Sequence, residues 1–385
     1  MKKAPVAPLM EYFRNIEDPR IDRNKDYPLI EVIVITVLAV MAFAEGWEDI
    51  ETYGLAKQQW LRQFLPLRNG IPKHDVYRRV FIRLQPDAIE QCFMAWVRDL
   101  RQQVGQEIIA IDGKTVKGSF NSRTETSPLH LVSAWATENR LTLAQVRTQD
   151  KSNEITAIPC LLELIALKGS IVTIDAMGCQ YKIANQIIAA EADYLLALKE
   201  NQPSFYRDVT EYFQDIDFAQ PEPDIQTEST FDVDHGRIER RSHAVSGDAA
   251  WLIERHPAWN TIKSFGVVES IRETPSKTSI EQRYFISSLP PDPKLFAVVV
   301  RAHWGIENSL HYVLDVTFRE DSSRIKTGSG PENWACFRKI AHTVARSDTL
   351  STKSIKSRIK QMAWSDTYLE RLLFRSSFAS QPAPD

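Results

Sequence analysis

Cysteine is scarce: Cys92, Cys160, Cys179 and Cys336 are the only four in 385 residues, and all lie far apart. No pair has Cys-x-x-Cys or zinc-knuckle spacing. That excludes a thiolate zinc module and predicts reduced thiols in a cytoplasmic protein. Long apolar runs are also missing. The longest, 32–44, is broken only by Thr36 and flanked by Glu31 and Glu45. A bilayer span needs about 20 residues, so a buried helix is expected and no membrane partner. The opening Met-Lys-Lys-Ala-Pro-Val-Ala-Pro has no hydrophobic signal core. Excess positive charge is absent, too. A net charge of −3 argues against a simple nucleic-acid coat, but not against a DNA enzyme with well-placed cations. Internal repeats and the His-Glu-x-x-His protease pattern are both lacking.

What is present is an ordinary globular composition, 43% apolar and 25% charged, with enough chain for two or three domains. Residues 1–104 read as a helical N-terminal module. Helices are expected from Tyr27-Pro28 to Ala44, from Trp47 to Phe64, from His74 to Leu84 and from Pro86 to Val104. The period then changes. Strands are expected at 107–112, 130–137 and 141–147, with Glu-Asn-Arg turning the last two into a hairpin. A helix follows at 154–166, capped by Ser152 or Asn153. After it come a strand at 170–175, a helix at 180–190, a strand at 193–199 and a helix at 203–217. The order β-β-β-α-β-α-β predicts an α/β fold with a ribonuclease H-like core, its first part spanning 105–220. Residues 221–290 alternate and are punctuated by Pro and Gly, which predicts a β-rich insertion. Helical spacing returns over 291–375, with helices at 332–346 and 354–373. The tail 376–385 is expected to be disordered.

Three carboxylates stand out. Asp112 and Asp175 each follow an apolar run, and the topology places those runs side by side. Asp112 is expected to end its strand. Glu307 lies on a helix where His303, Glu307, His311 and Asp315 recur every four residues and share one face. A carboxylate beside a core strand is costly unless it is paired or holds a metal. Together the three would form an oxygen-rich site for a hard divalent cation. A rival reading lets His303, Glu307 and His311 hold zinc by themselves.

Several strings carry a resemblance. They include Ala44-Glu-Gly-Trp-Glu-Asp-Ile, Ala110-Ile-Asp-Gly-Lys-Thr, Lys151-Ser-Asn-Glu-Ile-Thr-Ala-Ile-Pro and Thr173-Ile-Asp-Ala-Met-Gly-Cys-Gln. His303-Trp-Gly-Ile-Glu-Asn-Ser-Leu-His continues the set near the C-terminus. In this order they resemble the DDE transposases of bacterial insertion sequences, specifically the H-repeat-associated (ISAs-type) family. The resemblance implies that Asp112, Asp175 and Glu307 are the catalytic triad and the metal ligands. It implies magnesium, for which manganese may substitute, and two-metal phosphoryl transfer. It also implies double-stranded DNA as partner, a homodimer on paired ends, and association with the nucleoid when bound to DNA. Many members of the broader group carry Tyr, Arg, Glu and Lys on the catalytic helix. Here the Tyr, Arg and Lys positions are Val300, His303 and Leu314, while Trp304 matches, so Arg301, His303 and His311 are the candidates to grip DNA.

Other cations have DNA-contact readings of their own. Lys114, two residues after Asp112, and Lys199, at a strand end, are placed to meet phosphate. His235-Gly-Arg237-Ile-Glu-Arg240-Arg241 would present Arg237 and Arg240 from a turn. The helix around Pro72–Val80, with Arg78 and Arg79, could read DNA, and Lys353, Lys356, Arg358 and Lys360 form a basic segment. Two alternatives stay open beside the transposase: a ribonuclease H-like nuclease without strand transfer, and an inactive DNA-binding derivative.

Overall fold

The computed structural model describes residues 9–21, 23, 25–101, 106–122, 124–148, 154–234, 237–274, 277–348 and 350–373, without the side chains of 233, 234 and 237. Ser152 and Asn153, expected to cap a helix, lie outside these residues, as do His235, Gly236 and the tail 376–385.

Six helices come first: α1 (Leu9–Phe13), α2 (Leu29–Met41), α3 (Trp47–Ala56), α4 (Gln58–Leu61), α5 (His74–Phe81) and α6 (Pro86–Leu100). The apolar run forms α2, where every residue but Ile30 is buried, so it is a core helix. Glu31 is tolerated inside because its Oε1 accepts the Leu67 N–H at 3.0 Å. The helix expected over Trp47–Phe64 breaks at Lys57 into α3 and α4.

The core follows as β1 (Ile108–Val116), β2 (Leu129–Ala136), β3 (Leu141–Thr148), α7 (Glu154–Glu163), β4 (Ile171–Ile174), α8 (Tyr181–Ala189), β5 (Asp193–Leu198) and α9 (Pro203–Tyr212). Then come β6 (Ile225–Asp234), β7 (Arg237–Ser246), α10 (Ala250–Arg255), β8 (Ser264–Thr274) and β9 (Lys277–Ser287). All nine strands form one sheet, ordered β3-β2-β1-β4-β5-β9-β8-β7-β6. β1 to β3 are an antiparallel meander, and β4 and β5 add in parallel, which is the ribonuclease H-like order. The β-rich stretch is not a sheet of its own. β9 pairs antiparallel with β5, from Leu195 beside Ser287 to Leu198 beside Tyr284, so β6–β9 extend the same sheet.

The chain closes with α11 (Pro293–Ile306), a π-helical turn (Glu307–His311), α12 (Tyr312–Val316), α13 (Gly330–Arg346), α14 (Ile355–Trp364) and α15 (Asp366–Leu373). α11 starts on Asp292, whose side chain accepts from the N–H groups of Lys294 and Leu295. It lies across β1, β4, β6 and β7, burying Phe296, Val299 and Val300 against Ile108, Ile171 and Val268. The helix expected over 354–373 is two, separated at Ser365.

α13 joins the N-terminal helices to the sheet. Asn333 is fully buried, and its Nδ2 donates to Phe81 O at 2.8 Å and Leu84 O at 3.0 Å. Asn333→Leu strands two buried carbonyls and is expected to cost about 2 kcal/mol. Urea unfolding measures this; a loss below about 0.5 kcal/mol would show that the bonds do not clamp the module.

Candidate active site

β1 and β4 run parallel with Ile111 beside Ile174. The next residues are Asp112 and Asp175, so the two carboxylates leave neighbouring strands at one level. β4 ends there, and Asp175 caps a short 3-10 turn by accepting the Met177 N–H at 3.2 Å. β1 does not end. It continues through Gly113 to Val116, which corrects the expectation that Asp112 closes its strand. The reason is pairing: β2 runs alongside as far as Leu129, opposite Val116.

Asp112 is tightly held. Its Oδ1 accepts the Gly113 N–H at 2.8 Å, and His311 Nδ1 lies 3.3 Å from Oδ2. Burial disfavours its charge, yet the hydrogen bond and charge of His311, with His303 and the Gly113 N–H, keep the carboxyl below its ordinary range. Asp175 is pushed the other way, by burial and by the negative charges of Asp112 and Glu154. Glu307 opens the π turn and is exposed. Its charge joins those of Asp112 and Asp175 at His303, whose imidazole burial nonetheless holds below its usual value.

Three members of the stripe, His303, His311 and Asp315, therefore face the sheet, while Glu307 is exposed. His303 Nδ1 is 2.9 Å from Thr173 Oγ1 on β4. His311 reaches Asp112, and Asp315 lies 2.7 Å from Lys114 Nζ. The two histidines thus have separate partners, which weakens the reading of a zinc held by the helix alone. Among the described residues, no group of three or more His, Cys, Asp or Glu side chains already converges as a metal cage. The donor chemistry nonetheless fits a hard cation. The ligands on offer are carboxylate oxygens, and a divalent cation would offset the negative charge of Asp112 that, after burial, raises Asp175.

The π turn has its own support. Arg346 on α13 donates to Ser309 O at 3.0 Å and, through Nε, to His342 Nε2 at 3.3 Å. π turns are rare and concentrate at functional sites.

Comparison with known proteins decides the family. The model for "Transposase DDE domain" matches residues 103–344, and a DDE_Tnp_1-associated module matches 10–97. The chain belongs to the DDE transposases. Two relatives named as transposases are YncI of Escherichia coli O157:H7 and the H-repeat-associated YhhI of Escherichia coli strain K12. The first is 39% identical, covering 96% of this chain and 95% of its own length. The second is 35% identical, covering 96% and 99%. A solved piggyBac transposase synaptic complex with hairpin DNA is a distant likeness, with a TM-score of 0.43, 10% identity, and 98% of this chain and 79% of that one covered.

In this DDE transposase, the cations expected at DNA divide into groups. Lys114 is not directed at solvent. Its ammonium sits among Asp315 Oδ1 at 2.7 Å, Glu320 Oε2 at 3.1 Å and Asp321 Oδ1 at 3.4 Å. The lysine expected at phosphate meets this cage because Asp315 on α12, with Glu320 and Asp321 just after it, brings three carboxylates to β1. His303 and His311 are likewise engaged inward. Lys199 and Arg240 are exposed, and the side chain of Arg237 lies outside the described residues. Arg301 is exposed and 3.6 Å from Asp232.

Trp304 receives two guanidiniums, Arg283 at 4.6 Å and Arg241 at 5.8 Å from the ring centroid. They border a groove of about 420 Å³ between α11 and the extended sheet, which Asp232 and Arg301 also line. Arg283 is not singled out by the sequence, and Arg241 stands there only within the basic string 235–241, because their strand register against α11 is a tertiary fact. Arg78 and Arg79 on α5 are exposed, while Arg358 is spent on the carbonyls of Ala345, Asp348 and Ser351. His130 and Glu154, buried near Gly113, were also missed. The available signals were a histidine inside an apolar strand and an acid in a helix's first turn.

Proposed function

We propose that this protein cuts DNA at the ends of a bacterial insertion sequence and joins the freed 3′-hydroxyl to target DNA, with Asp112, Asp175 and Glu307 as catalytic residues. The observation that carries this reading is the placement of Asp112 and Asp175 at one level on adjacent parallel strands, in a chain of this family. Magnesium, or manganese in its place, would be held by Asp112, Asp175 and Glu307. When bound, it supplies Lewis-acid activation of the attacking oxygen and charge stabilisation at the leaving oxygen.

The chain's own residues prepare that chemistry. The Gly113 N–H and His311 fix one carboxylate, and the Met177 N–H fixes the other. Exposed Glu307 on the neighbouring helix closes the set. No serine, cysteine or tyrosine nucleophile is required, since water and then the DNA 3′-hydroxyl attack in line. Double-stranded DNA would lie along α11 and the outer sheet, meeting Arg301, Trp304 and Arg283, with Lys199 and Arg240 as further exposed cations. Lys114 serves the site indirectly, by clasping Asp315. Two copies would act on paired ends.

The test uses purified protein and linear DNA carrying the inverted repeats that flank its reading frame. Nicking at the repeat ends with magnesium, none with EDTA, and joined products with target plasmid are expected. Cleavage that persists in EDTA would refute the metal reading. Cleavage without joined products would favour a nuclease that lacks strand transfer.

A further inference from the structure

Consecutive side chains of a strand leave opposite faces. Asp112 meets His311 on the α11 face, so a side chain at Gly113 would leave from the other. There the space is already filled. A Cβ built on Gly113 would stand 2.4 Å from Glu154 Oε1, 2.6 Å from Glu154 Cδ and 2.8 Å from His130 Nε2. Glu154 is not a loose chain end that could move aside. It is 4% exposed, and its Oε1 is 2.7 Å from His130 Nε2. The other ring nitrogen, Nδ1, is 2.8 Å from Thr115 Oγ1. Thr115 and His130 are directly opposed on β1 and β2. A polar chain therefore runs from Thr115 through His130 to Glu154, and its end fills the space that a side chain at Gly113 would need. That backbone carries the N–H that holds Asp112 Oδ1. Nothing in the proposed reaction uses Glu154 or His130.

We infer that Glu154, held by His130, is a positioning residue: its carboxyl group braces Gly113 from behind the sheet and thereby sets the Asp112 carboxylate for a divalent cation. This rests on the metal reading of Asp112 proposed above. It also explains why residue 113 is a glycine in mid-strand, where glycine otherwise weakens pairing. The brace is steric and hydrogen-bonded, so shape matters more than charge.

The test is Mn²⁺ titration of the purified full-length protein by electron paramagnetic resonance, with thermal melts alongside. Glu154→Ala is expected to weaken Mn²⁺ binding about tenfold or more, whereas Glu154→Gln, which keeps the shape and an acceptor for His130, stays within about threefold. Gly113→Ala should weaken binding as Glu154→Ala does. The double variant Gly113→Ala/Glu154→Ala should bind more tightly than Gly113→Ala alone, because the crowding is relieved. Rescue of binding between variants whose melting temperatures match is a result that general destabilisation does not produce. Normal binding in a folded Glu154→Ala protein, or a Gln variant as weak as the Ala variant, would overturn the inference. If Glu154→Ala does not fold, a folded Gly113→Ala protein with wild-type binding overturns it equally. If the wild type itself binds no Mn²⁺, the metal reading fails. The brace is then judged on a crystal structure of Glu154→Ala, where an unchanged Asp112 Oδ1–Gly113 N bond would refute it.

Discussion

Asp175→Asn is expected to lower end cleavage by about a thousandfold, roughly 4 kcal/mol of transition-state stabilisation, and to leave the fold intact. The amide keeps the shape and the oxygen that accepts the Met177 N–H, so the 3-10 turn after β4 survives. What disappears is one of two negative charges placed at the same level on β1 and β4. Because burial first, and then the charges of Asp112 and Glu154, raise Asp175, removing its charge relieves both desolvation and repulsion. The melting temperature should therefore stay level or rise while activity collapses. Single-turnover cleavage and a thermal melt measure the two quantities. Activity within about tenfold of wild type would remove Asp175 from the catalytic set.

Lys114→Met should be the most destabilising single change near the site, at about 3 kcal/mol. Lys114 is 10% exposed and Glu320 only 1%. Without the ammonium, Glu320 keeps Arg338 at 3.9 Å as its remaining ion-pair partner, and a buried charge left poorly paired is costly. Asp315 and Asp321 are about a third exposed and recover part of their loss from water. This sets the estimate at the low end for buried pairs. Burial lowers the lysine's proton affinity, but Glu320, Asp315 and Asp321 more than reverse this, so its pKa lies above the ordinary value. A raised pKa places the stabilisation below the unfolded lysine's value, so it is complete at neutral pH and lost only as pH climbs through the folded value. Chemical denaturation at pH 7 measures it. Lys114→Met/Glu320→Gln should regain part of the stability; if the double variant is worse than the single, the cage is not the cause.

The sequence was most legible where period and topology agreed. The β-β-β-α-β-α-β order, the adjacency of the Asp112 and Asp175 strands, and the buried character of α2 could all be read from apolar runs and turn residues. The extent of β1 could not, because Asp112-Gly113-Lys114 looks like a strand end until β2 is seen to run beside it. Sheet continuity was hidden for a similar reason: strand pairing over long separations is decided by packing, not by local pattern. Lys114 showed the same limit. A lysine near an aspartate reads as a phosphate contact, and only the placement of Asp315 on α12, with Glu320 and Asp321 just beyond, shows what neutralises it.

The π turn changes how residues along the helix that carries Glu307 should be counted. In an α-helix each residue advances the direction of its side chain by about 100°, and a π turn holds about one residue more. Everything beyond 307–311 is therefore one step out of phase with a regular helix. By simple counting, the position seven after Glu307 is Leu314, which is fully buried. In angular terms the matching position is Asp315, where the ammonium of Lys114 lies 2.7 Å away. A positive charge thus occupies the side of the helix where the broader group is expected to place a lysine, but strand β1 supplies it and not the helix itself.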